Sequence, residues 1–318
     1  MSTIVHYPWT GAFAALLGWH GQRSGSLSTS GSIAACLLGY LTLANPLKVF
    51  GVALLMFYLS GSRATKYKAR LKASLEDDHH AAGPTTTTTT KPGGNRSATQ
   101  VACNAWLGTA CAVVWRFMYS GDMSRDNAWS TTGTNRCSLD PKFGSSRTLV
   151  LGAVAFWSAC AGDTLGMLSN SPPVLITTLK PCPRGTNGGV SVWGLVVSLA
   201  GGVLVSSMAA FTLSLENVEC HSYVEGQYKL PFWAVVVSVG AWSGVVGSLL
   251  DSVLGATLQQ SLYSSSRRKI VHSRVKRDEQ DVIANVPGSG YNVLSNNAVN
   301  FVSASLTTLA VMSWASRP

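Results

Sequence analysis

The chain has 318 residues and a formal net charge of +10 at pH 7, with 12% charged and 46% hydrophobic residues. A soluble globular protein carries roughly 25% charged residues. This chain therefore has too little charge to cover a soluble surface, and it is too apolar to be disordered. The composition indicates a multi-pass membrane protein.

Eight apolar runs follow one another along the chain, at residues 4–19, 32–43, 47–59, 101–119, 148–168, 188–213, 230–254 and 298–315. A membrane-spanning helix needs about 20 apolar residues. The fourth to eighth runs qualify, the first is marginal, and the second and third are short and joined by Asn45-Pro46. That pair could be two tilted spans, one kinked helix or a re-entrant hairpin. We predict an all-α, polytopic membrane helix bundle of about eight segments with short or broken helices.

Polar regions between the runs divide the chain into five parts. We assign 1–60 to the first three segments, 61–100 to a basic, Thr-rich cytoplasmic linker, 101–255 to a four-span core, 256–297 to a basic cytoplasmic loop and 298–318 to the last span. The linker is expected to begin as a helical extension and to continue as a flexible chain. No basic n-region or transit peptide precedes the first run. We therefore expect a retained span in the endoplasmic reticulum or another endomembrane.

Lys and Arg are distributed unevenly between the two sides of such a bundle. If the segments alternate, 16 of them lie on one side and 7 on the other, while Arg116 falls inside a span. Because cytoplasmic loops carry the excess of Lys and Arg, the first side is predicted to be cytoplasmic. The run Arg267-Arg268-Lys269 could form a nucleic-acid patch. Without a soluble fold to present it, we expect membrane lipid and no nucleic acid as its partner.

The cysteines and many glycines lie inside the apolar runs. The seven cysteines form no C-x-x-C pair and no repeated spacing, so they predict neither a metal site nor a disulfide framework. We interpret them as small buried side chains. Gly201-Gly202 and Gly240-x-x-x-Gly244 are typical of close helix packing in membranes.

Two of the 14 acidic residues, Asp163 and Asp251, lie within or at the end of an apolar run. A charged side chain costs about 3 kcal/mol there on insertion scales, so it must be paired, bound to a cation or exposed to a wet cavity. Thr164 and Ser252 follow the carboxylates, and such oxygen ligands suit Mg²⁺. We predict that Asp163 and Asp251 are catalytic residues and metal ligands. The structural alternative is a buried pair with a helix-lining partner such as Arg116.

Further polar motifs fall at the same predicted cytoplasmic face. A glycine-rich loop flanked by two cations opens the sixth segment and could offer its N–H groups to an anion, or could simply cap the helix. Three amides open the last segment and could equally cap it, and a basic motif ends the third segment. The predicted substrate- and nucleotide-binding residues are Ser62, Thr65, Lys66, Thr164, Lys180, Arg184, Gly185, Thr186, Asn187, Gly188, Gly189, Ser252, Asn296, Asn297 and Asn300.

Several motifs recur in a known order, and with them the chain resembles the transmembrane protein 19 family. They are Ser62-Arg-Ala-Thr65-Lys66, Gln100-Val-x-Cys103-Asn104, Gly162-Asp163-Thr164, Gly185-Thr-Asn-Gly-Gly and Asp251-Ser-x-x-Gly-Ala-Thr. That family includes a plastid phytyl-phosphate kinase, although most members have no assigned activity. The resemblance implies nucleotide-dependent phosphorylation of an isoprenyl monophosphate. A distant likeness to the phytol and dolichol kinases implies CTP as the donor and Mg²⁺ as the cofactor.

One departure from the family pattern bears on catalysis. After Gly-Asp-Thr, the family carries an Ala-Ser-Glu stretch that residues 165–172 lack. If that Glu is a ligand or a base, the chain could be an inactive scaffold. A membrane carrier or channel is a further alternative, with Asp163 and Asp251 at paired broken helices. The kinase is our first hypothesis, and the sequence indicates no oligomeric state.

Overall fold

The computed structural model describes residues 7–77, 95–119, 137–140, 145–166, 171–216, 220–266, 269–271 and 282–317. The helices are α1 (Pro8–Arg23), α2 (Thr29–Leu43), α3 (Val49–Asp77), α4 (Ala98–Cys103), α5 (Trp106–Tyr119), α6 (Ser146–Gly166), α7 (Val192–Glu216), α8 (Cys220–Tyr228), α9 (Phe232–Leu258) and α10 (Asn296–Ala315). The strands are β1 (Val174–Leu175), β2 (Gly189–Val190), β3 (Leu262–Ser264), β4 (Lys269–Val271) and β5 (Ile283–Asn285). The predicted all-α membrane bundle is confirmed.

Four helices of the described chain, α6, α7, α9 and α10, are long and apolar enough to cross a membrane. Thr29–Leu43 and Val49–Ala64 are shorter apolar helices. They correspond to the second and third predicted segments and are two separate helices rather than one kinked helix. The fourth predicted segment is interrupted at Asn104-Ala105, between α4 and α5.

The turn between α2 and α3 is held by a polar side chain. Asn45 donates from Nδ2 to the Ala112 carbonyl of α5 at 2.8 Å, and its Oδ1 accepts from the Leu47 N–H at 3.0 Å. Asn45 is almost fully buried. Because a helix break in an apolar setting leaves backbone groups without partners, this side chain stabilises the turn from within the bundle.

Helix α6 is the centre of the bundle. Every residue from 149 to 162 is buried, and α6 packs against α3, α5, α7, α9 and α10. A helix that is apolar all round is expected to be buried all round. The last turns of α6 contain Gly162, Asp163 and Thr164, so this central helix positions the first predicted catalytic residue.

Glycines allow α6, α7 and α9 to approach closely. A Cβ added at Gly201 would lie 2.9 Å from the Ala161 carbonyl oxygen, and one at Gly244 would lie 2.6 Å from the Ser198 carbonyl oxygen. Contacts under 3.0 Å essentially never occur for real Cβ atoms. The predicted packing role of these glycines is confirmed, and Gly162, which abuts the backbone of Gly244, belongs to the same contact.

The opposite end of the bundle contains a disulfide between Cys137 and Cys220. For these two residues the prediction of unpaired cysteines was wrong. They are 83 positions apart in the sequence, and they meet because α6 begins and α7 ends at this level. Spacing along the chain does not reveal that kind of proximity. We call this end the disulfide end, and the end that contains Asp163 and Asp251 the carboxylate end.

Contacts at the disulfide end confirm that neighbouring helices run in opposite directions. Arg147, in the first turn of α6, donates from Nε to the Ala315 carbonyl at the end of α10 at 2.7 Å. Trp115, near the end of α5, donates from Nε1 to the Ser146 hydroxyl at 2.8 Å. Helix α6 therefore begins at the disulfide end, where α5 and α10 end.

Short strands cover the carboxylate end. β1 and β2 form an antiparallel pair, with Leu175 opposite Gly189. A three-stranded antiparallel sheet, in the order β4-β3-β5, occupies the predicted basic loop. The segment after β5 returns to α9, where the Tyr291 N–H donates to the Thr257 carbonyl at 3.2 Å. These connections close off the last turn of α9, a few residues beyond Asp251.

Candidate functional site

The two predicted catalytic carboxylates lie together near the ends of α6 and α9. Asp251 shares a helix face with Gly244 and Gly247, because residues four and seven apart lie on one side of a helix. That face packs on α6, where a Cβ added at Gly247 would lie 2.7 Å from Ala159 Cβ. Asp163 lines a small cavity together with Ser303, and the Ser303 hydroxyl donates to Asp251 Oδ2, so both carboxylates lie beside Ser303. The sequence prediction that both carboxylates belong to one end of the bundle agrees with this arrangement.

Helix α10 fixes the position of Asp251. The Ser303 hydroxyl donates to Asp251 Oδ2 at 3.2 Å. With its amide nitrogen oriented toward the carboxylate, Asn300 also donates to Oδ2 at 3.2 Å and to the Asn296 carbonyl at 2.9 Å. Two donors on one carboxylate oxygen hold its orientation. Ser303 was not predicted, although it lies on the same helix face as Asn296 and Asn300.

A small cavity lies beside Asp163. Its wall includes Asn104, Cys160, Gly247, Asn300 and Ser303. Asn104 enters this cavity because the chain breaks between α4 and α5, and its Nδ2 donates to the Gln100 carbonyl at 3.0 Å. From the sequence, 101–119 was predicted to be one continuous segment, and Asn104 appeared only in a family motif and not among the predicted site residues. An amide inside an apolar run was the signal that could have identified it.

The three predicted amides of α10 have different positions. Asn300 contacts Asp251, while Asn297 is half-buried and Asn296 is exposed in the first turn. The helix is capped by Ser295, whose hydroxyl accepts from the Ala298 N–H at 3.3 Å. Ser295, the residue before the amides, therefore caps the helix, and Asn300 instead contacts the Asp251 carboxylate.

The predicted glycine-rich loop docks on the end of α9. The Asn187 N–H donates to the Ser261 hydroxyl at 2.9 Å, and Asn187 Nδ2 donates to the Gln260 carbonyl at 3.2 Å. Gly188 packs on Ala256, one turn after Ser252, and has a φ of +81° that favours glycine. The loop therefore lies next to the carboxylate site, attached to the same helix.

Not every group of this loop is directed outward. Thr186 is buried and donates from its hydroxyl to the Pro183 carbonyl at 2.7 Å, and the Gly189 N–H donates to the Thr186 carbonyl at 3.0 Å. Gly185 has a φ of +86°. Lys180 and Arg184, the predicted flanking cations, are both exposed at this end. The loop thus presents its two cations to solvent while part of its backbone stabilises its own turn.

Helix α3 passes the site at Gly61. A Cβ added there would lie 3.6 Å from Thr164 Cγ2 and 3.5 Å from Arg96 Nη2. The neighbouring Ser62 hydroxyl is buried. Of the other predicted residues, Ser252 is half-buried on α9. The side chains of Thr65, Lys66 and Lys269 lie outside the described part of the structure, as do residues 78–94, 167–170 and the basic residues at 267–268 and 272–281.

Arg96 is a further cation near the site. In the sequence it was considered only as one of the basic residues that distinguish the two sides of the membrane. The segment before α4 is held by α1–α2, because the Arg96 N–H donates to the Ser26 carbonyl at 3.0 Å and the Arg96 carbonyl accepts from the Ser28 N–H at 3.0 Å. Its guanidinium donates from Nη2 to the Gly61 carbonyl at 3.3 Å. Burial lowers the pKa of Arg96, but an arginine stays protonated at neutral pH.

The proposed pairing of a carboxylate with Arg116 is not what the structure shows. The Arg116 guanidinium lies over the Tyr7 ring, 5.2 Å from its centroid. Tyr7 immediately precedes the start of α1. Arg96 lies at the other end of α1, where it contacts Ser26 and Ser28. Arg116 therefore belongs to the other end of the bundle from Asp163.

The donor set at the carboxylate end suits Mg²⁺ in the company of phosphate. Within the described ranges, no group of three or more His, Cys, Asp or Glu side chains could hold a metal ion. A closed protein cage is therefore absent from that part of the chain. Mg²⁺ commonly uses only one or two carboxylates and completes its shell with waters and substrate phosphates. Asp163 and Asp251, with neutral oxygens around them, meet that requirement.

Apolar helices long enough to span a membrane, packed around a half-buried pair of carboxylates, define a multi-pass integral membrane protein. The chain matches the family described as Integral membrane protein DUF92 over residues 12–308, and it belongs to that family. It is 32% identical over 303 residues to Protein PGR of Arabidopsis thaliana, covering 93% of this chain and 91% of that protein.

Two prokaryotic relatives are similar over shorter stretches. An uncharacterized membrane protein of Synechocystis sp. is 32% identical over 148 residues, which is 44% of this chain and 51% of the relative. One of Methanocaldococcus jannaschii is 28% identical over 115 residues, or 35% and 41%. No solved structure matches the chain.

Proposed function

We propose that this protein is a membrane kinase that transfers a phosphoryl group from a nucleoside triphosphate to an isoprenyl phosphate. The observation that carries the proposal is that Asp163 and Asp251, from two different helices, both lie beside Ser303 at one end of the bundle. An intramembrane carboxylate is functional by default, and here two of them share amide and hydroxyl neighbours. The names of the relatives state no activity, so the proposal rests on this site and on the resemblance to the transmembrane protein 19 family.

The reaction is a phosphate-to-phosphate transfer. An oxygen of the isoprenyl monophosphate attacks the γ-phosphorus, a new P–O bond forms, and the bond between the γ-phosphorus and the β-bridging oxygen breaks. The products are an isoprenyl diphosphate and a nucleoside diphosphate. Because the attacking oxygen is already ionised, no general base is needed, and the absence of the family Glu from residues 165–172 does not prevent the step. The resemblance implies CTP as the donor.

The protein would contribute mainly position and charge, as phosphoryl transfer generally requires. Asp163 and Asp251 would hold Mg²⁺, which supplies neutralisation of phosphate charge. Ser303 and Asn300 keep the Asp251 carboxylate oriented. Lys180 and Arg184 are exposed beside the site, where they would attract the nucleotide, and Lys66 is expected to add a further cation.

The two ends of the bundle also differ as expected for a cytoplasmic site. Disulfides persist in oxidising compartments, so the Cys137–Cys220 bond supports a lumenal disulfide end. The excess of Lys and Arg at the carboxylate end supports the cytoplasm on that side. A membrane of the endoplasmic reticulum or a related endomembrane satisfies both. A carrier is less well supported, because carriers bind their substrates near the midplane of the membrane.

The test is direct phosphoryl transfer by the purified protein in detergent. With geranylgeranyl or phytyl phosphate, Mg²⁺ and labelled CTP, the wild type should form the labelled diphosphate. Asp163→Asn should abolish this product. Glu225→Gln, which removes an exposed carboxylate from α8 at the disulfide end, is the matched control and should retain activity.

Two results would count against the kinase. The first is no transfer from any nucleoside triphosphate by protein whose thermal unfolding shows that it is folded. The second is Asp163→Asn with full activity. Flux of the isoprenyl phosphate through liposomes in the absence of nucleotide would support the carrier instead.

A further inference from the structure

A second cavity lies next to the carboxylate site, between α1, α2, α3 and the segment that leads into α5. Its volume is about 80 Å³, and most of its wall is apolar, with Leu17, Leu38, Leu54 and Phe57 among the lining side chains. Apolar cavities of this kind stay dry and bind apolar ligands. The cavity is therefore complementary to a hydrocarbon rather than to a nucleotide.

The polar groups on this wall come mainly from one short segment. Arg96, Gln100 and Asn104 line the cavity at intervals of four residues, and Tyr58 of α3 lines it as well. The guanidinium of Arg96 is charged and half-buried, and most of the wall around these polar groups is apolar. A cavity with an apolar body and one cation is complementary to an amphiphile with an anionic head.

The cavity connects with the carboxylate site. Asn104 lines both cavities. Arg96 Nη2 and Thr164 Cγ2 both lie within 3.6 Å of the position that a Cβ on Gly61 would take. An anion bound to Arg96 would therefore lie beside the residue that follows Asp163. The planar fork of a guanidinium matches two phosphate oxygens.

We propose that this cavity binds the part of an isoprenyl phosphate that lies next to the phosphate group, and that the phosphate itself binds to Arg96. The proposal rests on the kinase function and assigns the acceptor subsite of the same reaction. A cavity of about 80 Å³ is smaller than the 150 Å³ space that binds benzene, so only the segment nearest the phosphate fits. The remainder of the isoprenyl tail lies in the bilayer, along exposed apolar side chains of α1 and α2 such as Leu16 and Ile33.

The test measures binding without nucleotide, using the full chain in phosphatidylcholine nanodiscs and labelled geranylgeranyl phosphate. Arg96→Gln should weaken binding of this phosphate about tenfold or more, since a hydrogen-bonded charge pair is lost, and should leave binding of uncharged geranylgeraniol unchanged. The control is Arg23→Gln. It removes a cation at the same end of the bundle. The Arg23 guanidinium lies over the Trp19 ring, 5.2 Å from its centroid, and Arg23 is not among the residues that line the cavity.

A second variant tests the apolar body of the cavity. Gly39 lines it, and a Cβ there would make an ordinary contact of 3.8 Å with Ala14 Cβ, so the first atom of the Gly39→Leu side chain fits and the rest adds volume at the cavity wall. Binding of both the phosphate and the alcohol should fall. Gly226→Leu, at a position with no atom within 4 Å of an added Cβ, should bind both normally. Because only the first isoprene units are enclosed, farnesyl and geranylgeranyl phosphate should bind with similar affinity.

The outcomes separate this proposal from the kinase itself. Equal losses in Arg23→Gln and Arg96→Gln, unchanged binding in Gly39→Leu, or complete competition by inorganic phosphate at equal concentration would each overturn the cavity assignment. A photoreactive geranylgeranyl phosphate should label peptides of α1–α4 in the wild type, and labelling elsewhere would overturn it too. Binding and labelling as expected, without transfer from any nucleotide, would sustain the subsite and refute the kinase.

Discussion

The contact between α6, α7 and α9 should tolerate no added methyl group at Gly244. In Gly244→Ala the new Cβ would lie 2.6 Å from the Ser198 carbonyl oxygen, whereas ordinary contacts begin at 3.4 Å. The helices must therefore separate by about 0.8 Å. Overpacking of this kind costs about 1–3 kcal/mol of unfolding free energy. A displacement near 1 Å in the elements that carry reacting groups costs about 100-fold in rate.

The assay compares Gly244→Ala with Gly226→Ala, which adds the same methyl group to an α8 position where no atom lies within 4 Å. Thermal unfolding in detergent reports the packing cost and does not depend on the proposed activity, and phosphoryl transfer reports the displacement of Asp163 from Asp251. We expect both to fall in Gly244→Ala and neither in Gly226→Ala. If the two variants unfold at the same temperature, the close glycine contact that places the carboxylates is refuted.

Three further predictions follow from the described contacts. Ser303→Ala removes a donor from Asp251 and should slow phosphoryl transfer about tenfold, whereas Ser305→Ala, whose hydroxyl donates within α10, should leave the rate unchanged. Cys220→Ser removes the disulfide and should lower stability by about 2–5 kcal/mol, with no further loss on adding a reductant. Burial and the hydrogen bond with Asp140 raise the pKa of Tyr223 to about 12, so this phenol should stay neutral at pH 11, and Tyr223→Phe should leave the tyrosinate absorbance near 295 nm at that pH unchanged. Because this pKa lies above the unfolded value near 10, the associated stability is present below pH 10 and is lost as the pH rises through 12.

Much of the bundle can be predicted from the sequence because hydrophobic length and glycine spacing are local properties. Six of the eight apolar runs give the helix bounds to within about four residues; the exceptions are the third, whose helix continues to Asp77, and the fourth, which is broken between α4 and α5. Gly201, Gly202, Gly240 and Gly244 identify close contacts between helices. Asp163 is conspicuous for a similarly local reason, because a carboxylate at membrane depth is costly wherever it points.

Other features depend on contacts between distant residues, and the sequence does not reveal them. The pairing of Cys137 with Cys220 depends on where two helices begin and end. In the sequence, Arg96 is one basic residue among many, and only the structure places it beside α3. Asn104 belongs to a family motif, but its position at the carboxylate site depends on the break between α4 and α5, which the sequence does not reveal. The glycine-rich loop is a mixed case: its position beside Asp251 is as expected, but its docking through Asn187 on the end of α9 is visible only in three dimensions.

Binding of Mn²⁺, a paramagnetic substitute for Mg²⁺, tests most directly whether Asp163 and Asp251 form one metal–phosphate site. Electron paramagnetic resonance should detect bound Mn²⁺ in the wild type and in Glu225→Gln when nucleotide is present. We expect Asp163→Asn and Asp251→Asn each to lose it, and the double variant to lose no more than either one. Undiminished Mn²⁺ binding in either single variant would contradict a shared site.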